Sequence, residues 1–262
     1  RLYLEDQVRK DKYGLDSKEV SQYFEVSRVK QGLLTITSKL FGVKVERDGY
    51  ERFEIPSGQR YTQVNLTVPG DFSSASFVMA AVALVGGKVR IRGLNPALPQ
   101  GDSAIVDILR GMGVKIEARR VTLSVSSDGS VLRGGRFNLV DTPDLLPVVS
   151  ALALKCDTPV EIIGVAHARF KETDRIAIVA KELSKLGVRI EERRDGLKVY
   201  PPSKLSARRL DAHDDHRMFM AFSLASMLIL GGTPVLGAEC LDVSYPSFLT
   251  DLKSLGASIR SD

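Results

Sequence analysis

Lys185-Leu186-Gly187-Val188-Arg189-Ile190-Glu191 decides the fold, because the chain contains this pattern four times. The other copies are Leu40-Phe41-Gly42-Val43-Lys44-Val45-Glu46, Gly111-Met112-Gly113-Val114-Lys115-Ile116-Glu117 and Ser254-Leu255-Gly256-Ala257-Ser258-Ile259. Their glycines are 71, 74 and 69 residues apart. Each copy ends a helix-like stretch, and glycine there supplies the left-handed residue that closes a helix. The Val-x-Ile/Val-Glu alternation after it reads as a half-buried strand. Arg47-Asp48-Gly49 and Ser127-Asp128-Gly129 then offer turns for a hairpin.

A second feature keeps the same period. Gly86-Gly87, Asp157-Thr158-Pro159 and Gly231-Gly232-Thr233 precede predicted strands at 88–91, 160–163 and 234–236. Each of these follows an apolar helix, at about 74–85, 143–155 and 215–230. Helices that are apolar nearly all round belong inside a core. The unit is a buried helix, a strand, a loop, an amphipathic helix, a strand and a hairpin, roughly 70 residues in all, too long for common solenoids. The expected class is α/β, a pseudo-symmetric domain of three similar units with helices inside and sheets outside. Residues 1–30 break the pattern and hold 13 charged residues.

Composition narrows the function. With 44% hydrophobic residues in 262, the chain is not intrinsically disordered. Its longest nearly apolar stretch, 219–230, is interrupted by Ser223 and Ser226 and falls short of the roughly 20 residues a bilayer requires. Residues 1–20 are charged and show no signal peptide. Cys156 and Cys240 stand 84 positions apart without a CxxC or Cys/His cluster, which argues against a disulfide framework or zinc site and favours the cytoplasm. The net charge of +5 suits solubility, nucleic acid or the focusing of small anions. Nucleic-acid binding favours a basic stripe with interleaved aromatics. This chain has no Trp, 17 Phe plus Tyr, and acids mixed among its bases, so no nucleic-acid partner is expected.

Chemistry concentrates at the starts of the apolar helices. Gly70-Asp71-Phe72-Ser73-Ser74-Ala75-Ser76 precedes the first, Asp141-Thr142-Pro143-Asp144 the second, and Asp211-Ala212-His213-Asp214-Asp215-His216-Arg217 the third. Such residues serve as caps. Helix N-termini also bind anions, and the hydroxyls of Ser73, Ser74 and Ser76 can donate to a phosphate. The densest constellation is His167-Ala168-Arg169-Phe170-Lys171-Glu172-Thr173-Asp174-Arg175. If the helix begins there, Lys171 and Arg175 share a face, and an anion between them would relieve their repulsion. Glu172 beside them is a candidate acid or base. The alternative is a solvated helix start capped by Thr173 or Glu172. His216-Arg217 places two ionisable groups at the mouth of an apolar helix.

These segments resemble the 5-enolpyruvylshikimate-3-phosphate synthase family of enolpyruvyl transferases. The resemblance rests on Gly70-Asp71-Phe72-Ser73-Ser74-Ala75-Ser76-Phe77, Gln100-Gly101-Asp102, Arg169-Phe170-Lys171-Glu172-Thr173-Asp174-Arg175-Ile176, Asp215-His216-Arg217-Met218 and Tyr245-Pro246-Ser247-Phe248. It runs from about residue 35 to the end of the chain. It implies a two-lobed fold of repeated units, with buried parallel helices and mixed sheets outside, a first lobe in residues 1–97 and a second in 98–262, and the crossing near 95–100. It implies transfer of the enolpyruvyl group of phosphoenolpyruvate to the 5-hydroxyl of shikimate 3-phosphate, on the pathway to chorismate and aromatic amino acids. No metal or organic cofactor is expected, and the partners are those two small anions, met by a monomer.

By the same resemblance Ser74 binds the shikimate phosphate, with Ser73 beside it. Asp144 takes the 5-hydroxyl proton, Lys171 lies near the reacting oxygen, and Glu172 protonates the methylene carbon. Arg175 and Arg217 hold phosphoenolpyruvate, with His216 beside them. His167 stands where asparagine is common and can still hydrogen-bond. Ser74 is then expected across a cleft from Lys171, Arg175 and Arg217. The family's Gly-x-Lys-Ser-x-x-x-Arg stretch is absent, so the chain is read as an N-terminally truncated member with little or no turnover alone. Phe77 replaces a frequent tyrosine and Val243 a frequent lysine. A non-catalytic anion-binding fragment and a nucleic-acid-associated relative of RNA 3′-phosphate cyclase are the alternatives.

Overall fold

The computed structural model describes residues 26–48, 52–63, 65 and 67–260. The chain divides into two compact units, Arg1–Val68 and Pro69–Asp262. In the first, helix α1 (Val26–Phe41) leads to a hairpin of β1 (Glu46–Asp48) and β2 (Arg52–Glu54), with Glu46 opposite Glu54. Phe41 meets the ring of Tyr61 edge-on at 5.9 Å. The turn expected at Gly49 and most of the irregular stretch 1–30 lie outside the described residues.

The second unit runs α2 (Phe72–Val85), β3 (Gly87–Arg92), α3 (Ile105–Gly111), β4 (Lys115–Arg119), β5 (Thr122–Ser127), β6 (Gly135–Asn138), α4 (Leu146–Leu152) and β7 (Val160–Ile163). It continues with α5 (Arg175–Lys185), β8 (Arg189–Arg193), β9 (Gly196–Tyr200), β10 (Leu210–Asp211), α6 (His216–Met227), β11 (Val235–Leu236) and α7 (Phe248–Ser254). The repeat read from the sequence is visible in the topology. One sheet has the order β3-β5-β4 and the next β6-β7-β9-β8, so in each the strand after a buried helix pairs antiparallel with the second strand of a hairpin. β6 and β7 run parallel on either side of α4 in the chain, as β10 and β11 do around α6. The four motif glycines all take positive φ: Gly42 +67°, Gly113 +103°, Gly187 +88° and Gly256 +103°. A side chain there would be strained, which explains why each copy keeps its glycine.

Helices α2, α4 and α6 pack on one another and form the centre of the core. In α2 only Ser74 and Val85 escape burial. Sequence explains this: the helix has no charged residue and no polar face. Phe77 meets Phe248 edge-on at 6.4 Å, which fastens α7 to the core. Truncating the fully buried Phe222 to Ala would cost about 3–5 kcal/mol.

The fold departs from expectation in four places. The division between compact units falls between Val68 and Pro69, earlier than the expected lobe crossing near 95–100. The reason is α2, whose apolar surface is covered by α4 and α6, so it shares their core. The second buried helix is broken into a 3-10 turn (Pro143–Leu145), α4, and another 3-10 turn (Ala153–Lys155). Ser127-Asp128-Gly129 follows β5 instead of forming the hairpin turn, which lies at Arg120-Val121 with Arg120 at φ +51°. Finally, Ala257-Ser258-Ile259 forms no strand.

Candidate active site

The three buried helices bring their first residues to one place. Asp71 caps α2, accepting from the amides of Ser73 at 3.1 Å and Ser74 at 2.8 Å. Asp215 caps α6, accepting from the amides of Arg217 at 2.9 Å and Met218 at 3.4 Å. Asp144 stands in the 3-10 turn before α4. Asp71, Asp144 and Asp215 are 73 and 71 residues apart, close to the period of the internal repeat.

Asp144 is the hub of the charge cluster. Its Oδ1 lies 2.6 Å from Arg175 Nη1 and 3.4 Å from Lys171 Nζ, and its Oδ2 lies 3.3 Å from Arg217 Nη2. Burial opposes its ionisation, but Arg217, Arg175 and Lys171 outweigh burial and hold the carboxyl below the ordinary aspartate range. It is therefore a carboxylate at neutral pH, between cations that face the same space.

Arg175 is completely buried and saturated with carboxylates. Its Nε donates to Asp215 Oδ2 at 2.7 Å, and its Nη2 donates to Glu172 Oε2 at 2.6 Å and Asp215 Oδ1 at 3.3 Å. Thr173 adds a hydroxyl to Asp215 Oδ2 at 3.3 Å. Burial works against the Arg175 charge, and these carboxylates more than compensate, so its guanidinium holds its proton above the usual range. A planar fork satisfying three acids is a role lysine could not fill.

Helix α5 starts only at Arg175, with Asp174 as its cap, accepting from the Ala177 amide at 3.0 Å. Arg169 fixes this cap at 2.8 Å and reaches Glu192 at 2.9 Å. Lys171 and Glu172 thus sit in the bend before the helix. The expected shared helical face of Lys171 and Arg175 does not exist, nor do the caps at Thr173 or Glu172. The anion between the two cations is supplied by Asp144 instead.

His216 is buried, and burial followed by the Arg217 charge pushes its pKa below 6.5, against the pull of Asp215 and Glu172. It is neutral at pH 7. His167 lies exposed in the 3-10 turn Ala166–Phe170, and no hydrogen bond joins it to the cluster among the described residues.

The serines are arranged differently from expectation. Ser74 does not lie in a separate unit from Lys171, Arg175 and Arg217, because α2 packs on α4 and α6. Its hydroxyl donates to Asp71 Oδ2 at 2.7 Å. Ser76 is fully buried and donates to the Ser73 carbonyl at 2.6 Å. Ser73 is the one that points toward the cluster, through Asp102, to which its hydroxyl donates.

Asp102 and Asp215 were not singled out from the sequence. Burial raises the pKa of Asp102, the Ser73 hydroxyl lowers it, and nearby Asp144 raises it again; the net effect is upward. Gln100, two residues earlier, clasps the start of α2: it accepts from the Phe72 amide at 3.1 Å and donates to the Gly70 carbonyl at 2.9 Å. The signal for Asp102 lay in the Gln100-Gly101-Asp102 segment itself. The signal for Asp215 lay in its cap position, which hides its second use as a counter-ion.

The EPSP synthase (3-phosphoshikimate 1-carboxyvinyltransferase) family model matches residues 33–252. The chain is 41% identical over 227 residues to the 3-phosphoshikimate 1-carboxyvinyltransferase of Nitrosopumilus maritimus, covering 86% of this chain and 53% of that protein. It is 42% identical over 220 residues to the enzyme of the same name from Methanothrix thermoacetophila, covering 84% and 51%. The chain thus spans about half the length of the curated relatives it matches. Among solved structures, EPSP synthase from Acinetobacter baumannii superposes with a TM-score of 0.68 at 26% identity, over 86% of this chain and 54% of that one. The enolpyruvyl transferase NikO from Streptomyces tendae shares the fold, with a TM-score of 0.64 at 22% identity, over 86% and 53%. The fold is the enolpyruvyl transferase α/β fold that the family resemblance implied. The chain belongs to the EPSP synthase (3-phosphoshikimate 1-carboxyvinyltransferase) family.

Proposed function

We propose that this chain supplies part of an active site that transfers the enolpyruvyl group of phosphoenolpyruvate to the 5-hydroxyl of shikimate 3-phosphate, releasing phosphate. The observation that carries the reading is Asp144 held between Lys171, Arg175 and Arg217, with Glu172 alongside. Both substrates are anions, and a pre-arranged cationic site stabilises charge that moves as phosphate departs. Lys171 and Arg217 reach past Asp144 toward those substrates. Arg175, spent on Asp144, Glu172 and Asp215, orients the carboxylates.

In this reading Asp144, kept ionised by its neighbours, takes the proton of the 5-hydroxyl. The freed oxygen bonds to the carbon that carries the phosphate. Glu172 delivers a proton to the adjacent methylene carbon. Reactant and product both contain the double bond, so that proton must leave again as phosphate is expelled. Glu172 must then regain or exchange a proton in each cycle, and neutral His216 nearby takes part in that exchange. Positioned carboxylates perform such transfers without a metal or organic cofactor.

The unit from Pro69 onward forms most of one lobe in this account, and the residues before it belong to the other. The enzyme works in the cytoplasm as a monomer, without nucleic acid. The two free cysteines, Cys156 and Cys240, support a reducing compartment. Among the described residues no helix is long and apolar enough to cross a membrane. The chain alone turns over little or not at all. The test is calorimetric titration of shikimate 3-phosphate into this chain. Weak saturable binding that Lys171→Ala diminishes is expected; equal affinity in wild type and Lys171→Ala would remove Lys171 from the site.

A further inference from the structure

The outer face of the β3-β5-β4 sheet forms a cationic trough. Inward residues Val89, Ile116, Leu123 and Val125 are buried, so their alternates face outward. The register sets these in three rows. Lys88 faces Ser126, which faces Lys115 on the other side. Arg92, Thr122 and Arg119 form the row at the opposite end. Arg90, Ser124 and Glu117 form the middle row. Short hydroxyls on the central strand and long side chains on the flanking strands produce a trough of about 510 Å³. Strand spacing places the flanking cations roughly 10 Å apart across the trough, and the end rows roughly 13 Å apart along it.

The charge on this face is not balanced from within. It carries five cations and one carboxylate, and the carboxylate, Glu117, pairs with Lys115 at 3.4 Å. Lys88, Arg90, Arg92 and Arg119 have no ion pair among the described residues. The second sheet, built by the same repeat, is the internal control. There Glu161 binds Arg136 at 3.3 Å and also Arg193, while Glu191 binds Arg189 at 2.8 Å and the Tyr200 hydroxyl at 2.7 Å. One face is zipped closed by its own carboxylates, and the other repels itself unless an anion from outside settles on it.

We propose that this trough binds a linear oligophosphate. Its lining is almost entirely hydrogen-bond donors: ammonium, guanidinium and hydroxyl groups. That suits a ligand made only of acceptors. An acidic peptide also brings backbone N–H groups that need acceptors, and Glu117 is the one carboxylate in this lining. Single-stranded nucleic acid gains much of its affinity by stacking on aromatic rings, and this face has none. Arginine forks and lysine charges at both ends, with a hydroxyl between them, match phosphate groups spaced along a chain. The surface shares no residue with the Asp144 cluster, so it is a separate site.

The experiment titrates inorganic tripolyphosphate and long-chain inorganic polyphosphate into this chain at low salt, with poly-aspartate and single-stranded DNA of matched charge as comparators. Saturable polyphosphate binding is expected, weaker as salt rises. Replacing Arg92→Gln and Arg119→Gln together should weaken it roughly tenfold or more, the loss of two charge-assisted contacts. Both arginines are exposed, so the fold should not change. Shikimate 3-phosphate binding should be unaffected in the same variant, which separates this result from the fate of the active-site reading. Undetectable polyphosphate binding, or affinity unchanged in the double variant, overturns the proposal. Tighter binding of poly-aspartate or DNA through the same arginines overturns the choice of ligand class.

Discussion

The guanidinium of Arg175 and the carboxylate of Asp215, both wholly shut off from solvent, lie 2.7 Å apart although 40 residues separate them in the chain. The pair joins the first residue of α5 to the cap of α6. Removing one member leaves the other charged and buried, which costs about 3–5 kcal/mol in comparable cases. Arg175→Leu and Asp215→Asn should each lower the midpoint of denaturant unfolding accordingly. Arg175→Lys should recover little, because one ammonium nitrogen cannot reproduce four bonds made from three separate guanidinium nitrogens. A loss below about 1 kcal/mol, the usual worth of an exposed pair, would mean that the pair is not buried as described.

The approach to α6 depends on a second buried acid. Glu182 is fully buried and accepts from Lys185 at 2.5 Å and the Asp211 amide at 2.9 Å, with His213 Nε2 at 3.2 Å. Burial works against its charge, but Lys185, the Asp211 amide and His213 outweigh it and hold the carboxyl below the usual glutamate range. These contacts brace His213 and Asp214, which take left-handed backbone angles of +52° and +60° just before Asp215. Glu182→Gln would set an amide N–H against donors. It should cost about 1–3 kcal/mol and weaken shikimate 3-phosphate binding by loosening the segment that carries Arg217. Full stability in this variant would show that the brace contributes nothing.

His216 makes stability depend on pH in a definite direction. In the unfolded chain it takes up a proton near its ordinary value of 6.5, while the folded protein resists that proton to a lower pH. Between those two points the unfolded state holds more protons, so stability falls as the solution is acidified. The slope of stability against pH between about 7 and 5 should be shallower in His216→Asn than in wild type. Identical slopes would place His216 in an environment like water.

Much of this was legible in the chain. The glycine period gave the repeat, and all four glycines have the backbone angle the pattern requires. Apolarity on every side gave the buried helices. What could not be read was tertiary. Lys171 and Arg175 were expected to meet through helical spacing, but Asp174 caps the helix after Lys171, and the two meet through Asp144, 27 and 31 residues away. Ser74 looked like a phosphate ligand because its sequence context resembles one. Its hydroxyl is turned to the cap, and the adjacent Ser73 faces Asp102. The dual use of Asp215 is likewise invisible until α5 and α6 are brought together.

Enolpyruvyl transfer as proposed requires Asp144 and Glu172 to move protons. The most direct measurement is steady-state phosphate release from phosphoenolpyruvate and shikimate 3-phosphate, by a protein of the relatives' full length that contains this chain. Asp144→Asn and Glu172→Gln should each reduce kcat by a factor on the order of 10²–10⁴ with KM little changed, as for lost acid–base groups. Near-normal kcat with a raised KM in either variant would contradict the account, because that residue would then bind substrate without moving a proton.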